Sequence, residues 1–326
     1  MPAIRLPDGS VRTYEAPVTP AAVAADISPG LAKAALGARV DGTLVDLQHP
    51  IDHDAALELV TLVPGKEPEA DALWLLRHSA AHVMAEAIAS VVPGVQLVYG
   101  PPVENGFYYD LAVPEDRPLS SEDFEAIEAA MQRIVDEDRP FTRYELPCGE
   151  GLQKLEGEGS KYKIDNARRA IDAGSDRLSW YATGTPGSNF EDLCRGPHVP
   201  STGRIGAFKV MSLASSYWHG DENSDRLTRV YGTAFADRKQ LKQHLERLEE
   251  ARKRDHRVLG RQLRLFHIDE QVGQGLILWS PNGAVVRQQL QEFISEELRK
   301  QGYHQVFTPH IGKLDLYRTS GHFPYY

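Results

Sequence analysis

The sequence predicts an α+β chain built from several domains, and three observations support this prediction. Short strand-like runs alternate with turn residues over the first 62 residues. Residues 71–235 mix the periodicities of helices and strands, and a charged helix follows over residues 236–264. Residues 265–326 then show a strand, helix, strand order. A chain of 326 residues, 41% hydrophobic and 25% charged, has the composition of globular domains and the length of two or three.

Composition and charge narrow the class of protein. Cys148 and Cys194 are the two cysteines, which argues against a disulfide framework and favours a reducing, cytoplasmic location. The N-terminus lacks a signal-peptide pattern, and no apolar run is long enough to span a bilayer, so we expect no membrane partner. The formal charge of −10 argues against coating nucleic acid by bulk electrostatics and leaves room for a local basic patch.

Residues 1–62 are predicted to form a β-grasp domain. Strand-like runs at 3–6 and 11–14 flank a Pro-Asp-Gly turn, and Thr19 with Pro20 begins a short helix that Pro29-Gly30 is expected to end. Further strands are predicted at 39–41, 44–47 and 57–62. We find no chemical constellation in this domain and interpret residues 52–54 as a solvated loop rather than a metal site. Residues 63–69 are a polar, proline-containing linker.

Residues 71–235 begin with an amphipathic helix that carries His78 and His82 one turn apart, off its apolar stripe. The helix ends at Pro93-Gly94, and a capping-box pattern at 120–123 begins a second helix. Strands are predicted at 96–99, 107–110, 207–211 and 227–231. Residues 150–192 are rich in Gly, Ser and charge, and we interpret 172–189 as a long loop. The stripe of the first helix consists of Leu73, Leu76, Ala80, Val83, Met84, Ala87, Ile88 and Val91.

Two histidine-containing pairs predict the chemistry of this domain. His78 and His82 would present two imidazoles on one helix face, and Cys194 and His198 recur downstream in a Gly- and Pro-rich loop. These side chains could bind a metal tetrahedrally, or orient water and substrate hydroxyls without one. For the helical pair alone, two ordinary surface histidines are an alternative of about equal weight.

The last 90 residues are predicted to contain a linker helix and an incomplete domain. Asp237 can cap a helix that runs to about residue 264, with a basic stretch at 252–257 that is either a solvated face or a phosphate contact. A strand at 275–280, a helix at 284–300 and a strand at 303–309 follow. Because an antiparallel sheet cannot be completed from these elements, we expect the third domain to be truncated.

Several ordered motifs resemble those of bacterial-type threonyl-tRNA synthetases over the whole chain. The resemblance implies a ubiquitin-like TGS domain at 1–62, an editing domain at 71–235, a linker helix at 236–264, and the class II catalytic domain through motif 1 at 265–326. The motifs are Leu6-Pro7-Asp8-Gly9-Ser10, Arg77-His78-Ser79-Ala80-Ala81-His82, Asn105-Gly106-Phe107-Tyr108-Tyr109-Asp110, Tyr162-Lys163, Cys194-Arg195-Gly196-Pro197-His198-Val199-Pro200, Tyr231-Gly232-Thr233-Ala234-Phe235 and Ala251-Arg252-Lys253-Arg254-Asp255-His256-Arg257.

The resemblance also implies an activity. The family joins threonine to tRNA(Thr) with ATP and Mg²⁺, holds one Zn²⁺, and forms homodimers through motif 1. The residues that bind ATP, threonine and Zn²⁺ in the family have no counterpart in this sequence, so we expect no adenylation by this chain. What remains is the editing site, which hydrolyses mischarged Ser-tRNA(Thr) at the acceptor end of the tRNA and requires no cofactor in the interpretation that we favour.

Site roles follow from the same resemblance. His78, His82, Lys163, Cys194 and His198 are expected to form the catalytic set, with Cys194 as a pocket wall. Tyr109 is expected to support the terminal adenosine or ribose, and Asp192 to receive the substrate's α-ammonium group. Two alternatives stay open: a zinc hydrolase on His78, His82, Cys194 and His198, and a non-catalytic tRNA-binding module. Contacts to tRNA are expected from Arg252, Lys253 and Arg254.

Overall fold

The computed structural model describes residues 1–63 and 67–324, and the chain divides into two compact units, Met1–His244 and Leu245–Tyr326. Helices and sheets are mixed throughout, as the sequence predicts. Part of the predicted linker at 63–69, namely residues 64–66, lies outside the described residues. Within the described ranges, no helix is both long enough and apolar enough to cross a bilayer.

The first unit begins with a β-grasp domain. Its sheet has the strand order β2–β1–β5–β3–β4, in which β1 runs parallel to β5 and antiparallel to β2. The buried side chains of Val23 and Ala24 pack the first helix against this sheet. The elements are β1 Ala3–Arg5, β2 Val11–Thr13, α1 Pro20–Ile27, α2 Pro29–Ala34, β3 Ala35–Val40, β4 Thr43–Val45 and β5 Ala55–Thr61.

Local sequence explains how the two helices of this domain begin. The Thr19 side chain accepts a hydrogen bond from the Ala22 N–H at 3.2 Å, as expected of a helix cap. The first helix ends at Ile27, just before Pro29-Gly30, as predicted, but Pro29 is also the first residue of α2, a helix that the sequence did not predict. The Ser28 side chain caps α2 by accepting from the Leu31 N–H at 3.1 Å, so the Ser-Pro pair starts a helix.

The remainder of the first unit is built around α3. This helix packs on the sheet β12–β13–β8–β6 and against α4, while a second sheet has the order β11–β10–β9. The elements are α3 Ala70–Val91, β6 Gln96–Tyr99, β7 Pro102–Val103, β8 Gly106–Ala112, α4 Phe124–Asp136, β9 Phe141–Pro147, α5 Cys148–Gly157, α6 Lys161–Asp172, β10 Arg177–Thr183, β11 Glu191–Leu193, β12 Ala207–Tyr217 and β13 Arg226–Phe235.

Residues 150–192 are more ordered than the sequence predicts. Helices α5 and α6 and strand β10 occupy most of this range, so the interpretation of 172–189 as one long loop is wrong. The glycines of α5 lower its intrinsic helix propensity, but Gly151 has a packing role. A Cβ on Gly151 would lie 2.7 Å from the Trp180 ring, so the helix can lie against β10 only where a side chain is missing.

Helix α3 is buried on more than its predicted stripe. His82, expected to lie off the apolar face, is only 3% exposed, and Leu75 and Ser79 are fully buried. The His82 ring packs edge-on against the rings of Phe141 and Phe190. The helix therefore has packing partners on several sides, which a single periodic stripe cannot reveal.

The second unit contains the C-terminal end of the linker helix and the elements that follow it. The linker is not one helix to residue 264, because α7 Arg238–Lys253 ends and the Asp255 side chain caps α8 by accepting from the Arg257 N–H at 2.8 Å. The predicted strand at 303–309 is wrong, since no strand among the described residues pairs with this segment. The remaining elements are α8 His256–Gln262, β14 Phe266–Ile268, β15 Ile277–Trp279, α9 Pro281–Lys300 and α10 Leu314–Thr319.

Candidate active site

A cavity of about 790 Å³ opens in the first unit beside helix α3. Six of the seven side chains that the sequence predicts for catalysis or substrate binding line it: His78, His82, Tyr109, Lys163, Asp192 and Cys194. The seventh, His198, lies directly behind Cys194. Helix α3, strands β8 and β11, helix α6 and the loop after β11 thus converge on one site.

The Cys194 thiol lies between two imidazoles. Its Sγ is 3.4 Å from His78 Nε2 and 3.3 Å from His198 Nε2, and it accepts a hydrogen bond from the Gly196 N–H at 3.3 Å. The His78 and His198 rings stack with centroids 4.3 Å apart. The loop that carries Cys194 and His198 is therefore held against α3 through His78, which contacts both the thiol and the His198 ring.

Hydrogen bonds on the far side of each imidazole fix its orientation. His78 Nδ1 donates to the Pro197 carbonyl at 3.0 Å, which directs the lone pair of Nε2 toward the Cys194 thiol in the neutral ring. His198 Nδ1 bonds the Ser79 hydroxyl at 3.1 Å, and that hydroxyl accepts the Val199 N–H. Burial lowers the pKa of His78 and lowers the pKa of His198 well below its usual value, so both rings are neutral near pH 7.

His82 differs from the other two histidines of the site. Its Nε2 is buried and has no hydrogen-bond partner among the described residues, while its side chain lines the cavity. Buried polar atoms in folded proteins are nearly always paired. Because the His82 side chain lines the cavity, its unpaired nitrogen is a candidate to hydrogen-bond a substrate or an activated water.

Lys163, Asp192 and Tyr109 form a buried network on the opposite wall. Lys163 Nζ lies 2.6 Å from Asp192 Oδ1 and donates to the Tyr109 hydroxyl at 3.0 Å, and that hydroxyl donates to Asp192 Oδ2 at 2.5 Å. Burial alone would raise the pKa of Asp192, but the charge of Lys163 and the hydrogen bonds from Lys163 and Tyr109 hold it below its usual value. Burial and the Asp192 charge raise the pKa of Tyr109, so its hydroxyl stays protonated.

This network bears on the role expected for Asp192. Each of its carboxylate oxygens already accepts one hydrogen bond from within the protein. A carboxylate offers about four acceptor positions, so a substrate ammonium group can still bind it. The carboxylate is thus oriented by the protein before any ammonium group arrives, and its role toward substrate stays a prediction.

Three of the four proposed zinc ligands form a group. The ligand atoms of His78, Cys194 and His198 all lie within 4.8 Å of one another, and His82 does not belong to this group among the described residues. The four-ligand set that the sequence suggests is therefore reduced to three. Three protein ligands with one open position is the pattern of catalytic rather than structural zinc sites.

Sequence reasoning missed several residues of the site. Asp46 follows β4 and reaches the Cys194 loop, where it accepts the His198 N–H at 2.8 Å. Tyr181 on β10 donates its hydroxyl to the same carboxylate at 2.5 Å. Arg143 and Arg177 line the cavity and both pair with Glu145. No motif marks any of these positions, because each acts through partners that the fold brings together.

Arg252, Lys253 and Arg254, expected to contact tRNA, lie in the second unit and do not line the cavity. Lys253 and Arg254 are 61% and 77% exposed and both lie within ion-pair distance of Glu250. The positive charges of Lys253 and Arg254 are thus partly neutralised by Glu250.

Two family models match the chain and define its class. The model described as TGS domain matches residues 3–61, and the model described as threonyl and alanyl tRNA synthetase second additional domain matches residues 181–231. The second match includes Asp192, Cys194 and His198. The chain thus combines a TGS domain with a segment similar to the second additional domain of threonyl and alanyl tRNA synthetases.

Relatives identify the family more closely. The chain is 45% identical to a threonine–tRNA ligase of Nitrosococcus oceani over 326 residues, which is 100% of the chain and 49% of that protein. It is 46% identical to one of Rhodopirellula baltica, covering 99% of the chain and 43% of that protein. It is 47% identical to one of Laribacter hongkongensis, again over 100% of the chain and 49% of that protein. The chain is therefore similar to threonine–tRNA ligases over its whole length, and it spans about half the length of the curated relatives that it matches.

Proposed function

We propose that the cavity in the first unit hydrolyses the ester of Ser-tRNA(Thr), the product that a threonine–tRNA ligase makes when it mistakes serine for threonine. The observation that carries this proposal is the convergence of six expected side chains on one cavity. One of them is His82, whose Nε2 is buried and has no hydrogen-bond partner among the described residues. The volume of about 790 Å³ suits a nucleoside with an attached amino acid, within the range typical of ligand sites.

The reaction is the addition of water to an ester. The water oxygen attacks the carbonyl carbon while its proton passes to a base, and we assign that base to His82 Nε2 because it has no competing partner among the described residues. The bond from the carbonyl carbon to the ribose oxygen then breaks, and the ribose oxygen takes the proton that His82 accepted from the water. Lys163 supplies positive charge near the oxyanion. The products are serine and the free terminal hydroxyl of tRNA(Thr).

Discrimination rests on one methyl group. Serine lacks the methyl of threonine, and a binding site can reject the smaller analogue by only about 1–3 kcal/mol. A second site that admits serine and excludes threonine removes the error. Cys194, held between two imidazoles, is a rigid wall that can exclude the additional methyl. Asp192 binds the α-ammonium group and Tyr109 supports the terminal ribose.

For a protein that joins this chain to the remaining length of its relatives, we propose the family reaction, in which threonine is joined to tRNA(Thr) with ATP and Mg²⁺ in a cytoplasmic homodimer. Within this chain, we assign residues 1–62 to the TGS domain, 71–235 to the editing domain, 236–264 to a linker that contains α7 and α8, and 265–326 to the beginning of the catalytic domain. The matches at 3–61 and 181–231 support the first two assignments.

A zinc-dependent deacylase is the second candidate, and one observation favours it. The ligand atoms of His78, Cys194 and His198 form a compact group. The His78 Nδ1–H donates a hydrogen bond to the Pro197 carbonyl, as the second ring nitrogen of a metal-bound histidine does. These three residues would hold the ion, which acts as a Lewis acid at such sites. We favour the metal-free site, because its imidazoles and thiol already satisfy one another.

The test is release of serine from Ser-tRNA(Thr) by the full chain, measured with and without prior treatment by a metal chelator. We expect release that the chelator leaves unchanged. Loss of activity on chelation, restored by Zn²⁺ alone, would establish the second candidate. No release under either condition would leave a non-catalytic tRNA-binding module and refute both deacylase candidates.

A further inference from the structure

A side chain of the β-grasp domain, Asp46, contacts the loop that carries Cys194 and His198. Asp46 follows strand β4 and approaches the loop between Cys194 and His198. Its Oδ1 accepts the backbone N–H of His198 at 2.8 Å, and its Oδ2 accepts the hydroxyl of Tyr181 at 2.5 Å. The Asp46 carboxylate therefore contacts the loop through the backbone of His198 and strand β10 through the side chain of Tyr181.

Tyr181 connects this carboxylate to both walls of the cavity. It pairs directly with Asp192 in the β10–β11 ladder, and its ring packs edge-on against His198 with centroids 4.5 Å apart. The tyrosine is 1% exposed. The Tyr181 hydroxyl is held by Asp46 and its ring by His198. The position of Asp46 therefore affects β10 and, through the strand pairing, the neighbouring strand that carries Asp192.

The loop itself is shaped to receive these contacts. Gly196 has φ of +69°, and a Cβ at that position would lie 1.9 Å from the Tyr181 hydroxyl. The Gly196 N–H in turn donates to Cys194 Sγ. The path of the loop from Cys194 to His198 is thus fitted closely to the Tyr181–Asp46 pair, and a small shift of the loop would disturb the thiol and the imidazole together.

We propose that Asp46 is a positioning residue of the deacylation site, through which the TGS domain fixes the loop that carries Cys194 and His198. This inference rests on the deacylase function proposed above. Asp46 does not line the cavity, so it acts through His198 and Tyr181 rather than on the substrate. A charged acceptor makes a stronger hydrogen bond to a backbone N–H than a neutral one, which suits a residue that holds a loop in one place.

Other contacts attach the TGS domain without Asp46. Leu36 and Val60 belong to the same hydrophobic cluster as the buried residues of α3. Arg39 pairs with Asp71 at 2.8 Å, on the first turn of α3. Loss of the Asp46 carboxylate should therefore leave the two domains joined and alter the loop alone.

The test compares three variants of the full chain. Asp46→Ala removes both hydrogen bonds, whereas Asp46→Asn keeps an acceptor for the His198 N–H and can donate to Tyr181. Arg39→Gln is the matched control, since it removes an ion pair from the same domain interface without touching the loop. Two quantities are measured: single-turnover release of serine from Ser-tRNA(Thr), and amide hydrogen exchange of a peptide that contains residues 194–199.

We expect Asp46→Ala to lower the maximal single-turnover rate constant by about 10–100-fold with little change in the half-saturating concentration, because a misplacement near 1 Å has an effect of this size. Exchange in residues 194–199 should rise, since the His198 N–H loses its acceptor. Asp46→Asn should recover most of the activity and protection, and Arg39→Gln should match the wild type in both.

Unchanged exchange at 194–199 in Asp46→Ala would overturn the proposal whatever the activity. Equal losses in Asp46→Ala and Arg39→Gln would also overturn it, because they would indicate a general loosening of the interface. Absence of serine release by the wild-type chain would refute the deacylase function instead, and the exchange measurement would then decide whether Asp46 holds the loop.

Discussion

Lys163 and Asp192 form a buried ion pair, with Nζ and Oδ1 2.6 Å apart and side chains that are 6% and 8% exposed. The pair lies in the wall of the cavity and shares the Tyr109 hydroxyl. Because water cannot screen it, each charge depends on the other for compensation. The electrostatics of the site are therefore linked to the stability of the unit that contains it.

Removal of Lys163 should destabilise the chain as well as inactivate it. In Lys163→Met the Asp192 carboxylate stays buried without its partner, and we expect a loss of about 3–5 kcal/mol in the free energy of unfolding. Lys161→Met is the matched control, since Lys161 is 65% exposed and its pair with Asp225 is worth at most about 1 kcal/mol. Denaturant unfolding measures both, and similar losses in the two variants would contradict this account.

His78 and His82 should differ in their effect on stability. Each substitution to Ala is expected to lower serine release by about 10²–10⁴-fold, the usual contribution of a general acid or base. His82 packs against Phe141 and Phe190 and is 3% exposed, so its removal leaves a cavity. His82→Ala should therefore lower the thermal midpoint more than His78→Ala. Equal midpoints would mean that His82 has no packing role.

Stability should fall as the pH drops below about 6.5, the usual pKa of histidine. His198 has a folded pKa well below its unfolded value because it is buried, so the unfolded state binds its proton first. The stability that neutral His198 contributes is fully present above the pKa of His198 in the unfolded chain. It is lost progressively as the pH falls toward the lower pKa of His198 in the folded chain. Asp192, with a folded pKa lowered from 3.8, adds a loss only in more acidic solution.

The predicted loss of stability on acidification is tested by measuring the free energy of unfolding in urea between about pH 5 and pH 8, the interval in which histidines titrate. His198→Gln should flatten the dependence. His53→Gln is the control, because His53 is exposed and its pKa is raised by Asp52 and Asp41. A wild-type chain that gains stability on acidification would contradict the burial of neutral His198.

Binding of tRNA should depend on salt through the basic segment of the linker. Replacing Arg252, Lys253 and Arg254 with Ala should reduce the slope of log K against log salt by roughly 0.7–0.9 for each phosphate that these side chains neutralise. Serine-over-threonine selectivity should stay unchanged, since we propose that the cavity determines it. The pair Arg299→Ala and Lys300→Ala, also exposed and helical, is the control. Changed selectivity with an unchanged slope would contradict the assignment.

Local pattern was sufficient to predict much of the site. The helical spacing of His78 and His82, the Cys194 loop and the strand at 96–99 follow from periodicity and turn residues, and the structure contains each of them. Six of the seven expected side chains line one cavity. Motifs of this kind are read within short windows of sequence, where propensity and spacing carry the signal.

The features that were missed depend on contacts distant in sequence. Strand β10 lies in a Gly- and Ser-rich region and is stabilised by β9 on one side and β11 on the other. Asp46 acts on residues 135 and 152 positions away, from a domain whose sequence shows no chemical constellation. The burial of His82 depends on two phenylalanines from other segments. Tertiary packing decides such positions, and a single sequence does not record it.

The most direct measurement is the ratio of single-turnover hydrolysis rates for Ser-tRNA(Thr) and Thr-tRNA(Thr) by the full chain under identical conditions. The account predicts rapid release of serine and a rate for threonine lower by about 10-fold or more, as expected when one methyl group is excluded by a rigid wall. Cys194→Ala should narrow this ratio by admitting the methyl group. Equal rates for the two esters in the wild-type chain would contradict the assignment of this cavity as a site that distinguishes serine from threonine.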